Sequence, residues 1–102
     1  MRGLVFAVIL LIATPAIAGC GSVYYTASAT AASTRLEQAR LMGAETKAPY
    51  EYTFAREHLR QAQVEAAEAS YSDAASYAET AELYAQRAID VIQTQKKSGD
   101  SK

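Results

Sequence analysis

This sequence predicts an all-α fold: an alanine-rich antiparallel helical hairpin with a further helix before it. Three observations carry that prediction. Apolar residues recur at alternating spacings of three and four in three separate stretches, and no segment sustains the period-two alternation of a strand. Ala, Glu, Gln and Arg, all strong helix formers, dominate those stretches. The Gly and Pro punctuation falls between or beyond the stripes rather than inside them.

The first stripe is Tyr25, Ala29, Ala32, Leu36 and Ala39, a helix over about 24–42 that Gly43 ends. It is the weakest of the three by local preference, because Thr26 to Thr34 is rich in Ser and Thr. The second stripe is Tyr52, Ala55, Leu59, Ala62, Ala66 and Ala69. Pro49 suits its first helical position and Glu51 its first turn, so this helix is expected over about 49–70. Continuing its phase from Ala69 predicts apolar residues at 73, 76, 80 and 83. The chain instead has Asp73, Ser76, Thr80 and Leu83, and the third stripe (Ala74, Tyr77, Ala81, Tyr84, Ala88, Val91) runs one residue later.

A tight turn near 70–73 accounts for that shift, with Ser70 or Ser72 as cap and Asp73 at the following helix start. So short a turn folds the two helices antiparallel. The third helix is expected over about 73–97, with Lys96 and Lys97 near its carboxyl end and Ser98-Gly99 stopping it. Residues 98–102 then form a polar, disordered tail.

Packing should be thin. From Cys20 onward there are eighteen alanines but only about a dozen large aliphatic or phenylalanine side chains. Tyrosines supply much of the missing area. Tyr52, Leu59, Tyr77 and Tyr84 are therefore expected to form the hairpin core or a face that binds a partner. A second apolar row on the third helix, Ala75, Ala78, Ala85, Ile89 and Ile92, calls for self-association or a partner helix to cover it.

The first nineteen residues read differently. Met1-Arg2 is a short basic start, and Gly3 to Ala18 carries no charge. That is the form of a secretory signal, and it is shorter than the roughly 18–20 apolar residues that span a bilayer. An uncleaved anchor is the alternative, since no charge returns until Arg35. The expected domains are a signal at 1–19, a flexible joint at 20–23, a helical domain at 24–97 and the tail.

Cys20 is the one cysteine, so no internal disulfide forms. Ile17-Ala18-Gly19-Cys20 resembles the lipobox of bacterial lipoprotein precursors. That resemblance implies cleavage between Gly19 and Cys20, diacylglycerol on the thiol and acylation of the new amino terminus. An ordinary peptidase cutting after Ala16-Ile17-Ala18 is the competing reading. Gly21 stands where an aspartate commonly retains lipoproteins in the inner membrane, which favours the outer membrane facing the periplasm.

Ala48-Pro49-Tyr50-Glu51-Tyr52-Thr53, followed by Ala55-Arg56, Leu59, Ala62, Glu65-Ala66 and Tyr71-x-x-Ala74, resembles the short bacterial lipoproteins grouped as domain of unknown function 4398. The likeness covers about residues 28–92. It implies an envelope location and a helical hairpin, tetratricopeptide-like in flavour, and it implies no activity. No 34-residue period recurs, as a true repeat would require.

Chemistry is sparse along the rest. His58 is the one histidine and reads as a surface or boundary residue. Glu65 with Glu68, and Glu79 with Glu82, are ordinary helix-face pairs rather than a metal site. No nucleophile has a visible base and orienting group, and no glycine-rich phosphate loop is present. From Cys20 onward nine Lys and Arg face eleven Asp and Glu, which gives no basic stripe for nucleic acid.

The expectation is a non-enzyme without cofactor, metal or small-molecule substrate. It is a lipid-anchored envelope adaptor or scaffold whose partner is another envelope protein. The alternative is a structural lipoprotein that self-associates through alanine seams, tied to peptidoglycan through Lys102 as in Braun-type lipoproteins. The ending Ser98-Gly99-Asp100-Ser101-Lys102 departs from that family's aromatic-basic terminus.

Overall fold

The structure, a computed structural model, describes the backbone of residues 2–100 and the side chains of residues 21–100. Among those residues every regular element is helical: α1 (Arg2–Leu41), α2 (Ala44–Lys47), α3 (Pro49–Ala67) and α4 (Tyr71–Asp100). The all-α class and the α3–α4 hairpin are as the periodicity predicts.

Punctuation explains the order. Gly43 adopts φ 87°, the left-handed conformation that ends α1. Its carbonyl then accepts the amides of Thr46 and Lys47 at 3.1 and 2.9 Å, which winds the single turn of α2. Pro49 opens α3 at its first position.

The turn between α3 and α4 lies at 68–70, slightly earlier than the phase shift places it. Glu68 caps α3, and Ala69 takes φ 61°. Ala69 N–H donates to Ala66 O and Ser70 N–H to Glu65 O, both at 2.9 Å, the paired bonds of a Schellman motif. An L-residue with a Cβ is held there at a cost of about 1 kcal/mol, which glycine avoids. Ala69→Gly should therefore stabilise the fold by roughly 0.5–1 kcal/mol and raise Tm by several degrees. Thermal melts followed by circular dichroism check this, and a lowered Tm would show that Ala69 is not left-handed.

The helices form an up-down-up bundle. Phe54 meets Tyr84 and His58 meets Tyr77, so α3 runs antiparallel to α4. Tyr25 meets Tyr71 while Met42 packs near Ile89 and Ile92, so α1 runs parallel to α4. α4 is thus the central helix, packed on both of the others.

Its two apolar rows divide the work. Ala74, Ala81 and Ala88 are buried on the predicted stripe, and the whole second row, Ala75, Ala78, Ala85, Ile89 and Ile92, is buried as well. Cover for this row comes from within the chain: α1 packs Ala39, Leu36 and Met42 into the cluster that holds Ile89 and Ile92. One core cluster joins Ala39, Ala44, Ala48 and Tyr52 to Ala88, Ile89 and Ile92, and another joins Ala32 to Leu59 and Ala81. Methyl-on-methyl packing lets three backbones approach closely, at the expense of buried area per residue.

Two further expectations are corrected. Residues 21–23 are not a flexible joint but part of α1: Gly21 lies against Tyr71, and Thr26 Oγ1 donates to Ser22 O at 2.7 Å. At the other end, Ser98 and Gly99 do not stop the last helix, which runs to Asp100. Gly99 has a helical rather than a left-handed φ, and good helix formers before it carry the ladder outward. Ser101 and Lys102 lie outside the described residues.

Candidate docking face

The four tyrosine and leucine positions singled out in the sequence do not share one surface. Tyr52 and Leu59 are buried, 6 % and 8 % exposed, and face α1 in the two core clusters. The Tyr52 hydroxyl reaches the edge of the core and donates to Glu45 Oε1 at 3.4 Å. Burial, and then the Glu45 carboxylate, push its phenol above the ordinary tyrosine range. These two residues hold the bundle together.

Tyr77 and Tyr84 are half-buried and belong to the opposite side of the hairpin. There α3 contributes a row at i, i+4 spacing: Tyr50, Phe54 and His58. Phe54 stacks on His58 with ring centroids 4.0 Å apart, and Tyr84 lies 4.1 Å from Phe54. Tyr77 closes on His58 at 5.9 Å, and Tyr50 on Phe54 at 6.0 Å. Arg87 places its guanidinium 4.7 Å from the Tyr84 ring, a cation–π distance.

His58 is the hinge of this seam. Its Nδ1 is 2.9 Å from the Phe54 carbonyl, which can only accept, so Nδ1 carries the proton. The ring is thereby fixed between Phe54 and Tyr77, at the boundary of the bundle, as the sequence reading has it. That reading misses Tyr50, Phe54 and Arg87, although the 50, 54, 58 spacing is a legible signal. The row runs beside the main α3 stripe and passes for that stripe's polar flank.

The seam is open to solvent. Tyr50 is 65 % exposed, and Pro49, Tyr50, Thr53, Phe54, Glu57 and His58 line a groove of about 480 Å³. A second hollow of about 420 Å³ continues along α4 between Arg87, Val91 and Gln95, with Glu51 on its α3 side. Charges around it are locally matched: Glu57 pairs with Arg60 at 3.0 Å and Arg56 at 3.8 Å. Exposed pairs of this kind contribute little to stability. They leave a face that is aromatic at its centre and mixed in charge at its rim.

A family model described as domain of unknown function (DUF4398) matches residues 27–101. The chain belongs to the DUF4398 family. No curated protein and no solved structure matches it. The DUF4398 match begins within α1 and takes in α2, α3 and α4, so the family unit includes the helix that covers the hairpin's second row.

Gly19 and Cys20 belong to α1, and their side chains lie outside the described residues. No helix among the described residues is long and apolar enough to cross a membrane. Among the described residues, no group of three His, Cys, Asp or Glu is placed to hold a metal ion, and no polar side chain is buried.

Proposed function

We propose that this protein is a lipid-anchored envelope lipoprotein and that its three-helix bundle is an adaptor for another envelope protein. The observation that carries the adaptor reading is the asymmetry of the α3–α4 hairpin. One side is closed by α1 through alanines, while the other displays Tyr50, Phe54, His58, Tyr77 and Tyr84 unclosed. Aromatic rings with an accompanying arginine are the residue types that dominate binding hot spots. The anchor reading rests on Ile17-Ala18-Gly19-Cys20 behind the uncharged run.

The structural alternative, self-association through alanine seams, loses its main motive because the alanine rows are already satisfied within one chain. In-cell crosslinking distinguishes the two. Photoreactive residues at Tyr50, Tyr77 and Tyr84 should capture one and the same envelope protein, and the same residue at Arg40, exposed on α1, should not. Capture of this chain alone, or of nothing, would point to the structural lipoprotein instead.

A further inference from the structure

α1 continues without a break from position 20 into the bundle, so any group attached at that position has a fixed relation to the helices. Positions 20, 23 and 24 are spaced i, i+3 and i+4, and therefore share one face of α1 over a single turn. On that face Val23 is 69 % and Tyr24 58 % exposed, the Tyr24 hydroxyl reaching Glu79 of α4 while its ring stays open. Tyr25 and Tyr71 form a ring pair at the same end, with centroids 6.3 Å apart.

Residues 20–28 and 61–79, which make up this end of the bundle, include no Lys or Arg. The α3–α4 turn adds Glu65, Glu68 and Asp73, and Tyr24 donates its hydroxyl to Glu79. Beyond Tyr24 the face turns polar and small, with Ala27, Thr34 and Gln38. A large apolar side chain returns only at Leu41, about five turns on, so near position 20 the apolar character is confined to about one turn.

We infer that Val23 and Tyr24, with the Tyr25–Tyr71 pair behind them, form a seat for the headgroup layer of the bilayer that carries the anchor. This rests on the lipid-anchor reading of Cys20. Tyrosine suits the interface because its ring enters the apolar boundary while its hydroxyl stays wet. A single turn is too short a face for α1 to lie flat on the surface, and the absence of cations selects zwitterionic headgroups over anionic ones.

The bundle therefore stands with its α3–α4 turn toward the membrane. Tyr50 and α2 sit at the opposite pole, about 25–30 Å away along α1. The aromatic seam runs outward from the bilayer rather than along it.

The chain has no tryptophan, so single replacements report cleanly. Lipidated Tyr24→Trp and Tyr50→Trp proteins would be reconstituted into phosphatidylcholine vesicles whose acyl chains are brominated near the glycerol. Flotation of the protein with the vesicles reads the anchor separately from the seat. Both variants are expected to float. Indole emission should be quenched about two-fold or more in the Tyr24→Trp protein and unchanged in the Tyr50→Trp protein. Flotation with equal quenching in both variants, or none in either, would overturn the seat while leaving the anchor intact. Failure to float would remove the anchor, and the seat with it.

Discussion

A chain that starts at Ala44, and so lacks α1, is expected to lose its cooperative fold. The α3–α4 hairpin would then expose Ile89 and Ile92, both now buried, along with the α1 side of Tyr52 and Leu59. Two helices with an alanine interface bury too little area to offset the entropy of ordering nearly sixty residues. Tertiary packing rather than propensity is what holds protein helices of this length. Circular dichroism should show a shallow, non-cooperative melt for the truncated chain and a sigmoidal one for the bundle. A truncated chain that is monomeric and melts sharply would show that the hairpin is an independent domain and α1 an accessory.

The second large effect is expected at Ala88. It is fully buried where α1, α2 and the start of α3 converge, among Ala39, Ala44, Ala48 and Tyr52. Leucine there inserts three carbons into a seam set by methyl contacts, forcing the helices apart over several turns. The cost should be about 2–4 kcal/mol, at or beyond the upper end for overpacked cores, because the facing alanines have no rotamers with which to yield. Ala67→Leu, at an exposed position of α3, serves as the control and should be near neutral. Urea denaturation of the two variants measures the difference. Similar midpoints would mean that the alanine seam is looser than the structure has it.

Which features the sequence discloses follows from their physical origin. Gly43 and Pro49 act locally, through φ and the missing amide, and both mark helix ends where they are expected. The one-residue phase shift near Ser70 is enough to reveal a break without any Gly or Pro. Its position is harder to read, because the turn passes through Ala69 in a left-handed conformation, for which alanine gives no signal.

The second row of α4 announces that something covers it. Alanine faces are too generic to say what, and the answer is α1 of the same chain. Tyr52 and Tyr84 look alike as aromatic positions on a helical stripe. Only the side of the hairpin on which α1 packs sends one into the core and the other to the open seam. A joint at 20–23 follows from composition alone, whereas the approach of Gly21 to Tyr71 spans fifty positions of the chain.

We expect α1, α3 and α4 to unfold as one cooperative unit, its alanine seams inside and the Tyr50, Phe54, His58, Tyr77 and Tyr84 rings on its open side. Native-state hydrogen exchange tests it most directly. The amides of residues 29–41 are expected to exchange with the same free energy of opening as those of residues 74–92, through global unfolding. Rapid exchange across 29–41 beside a protected α3–α4 pair would contradict it, leaving the second row of α4 to be covered by another molecule.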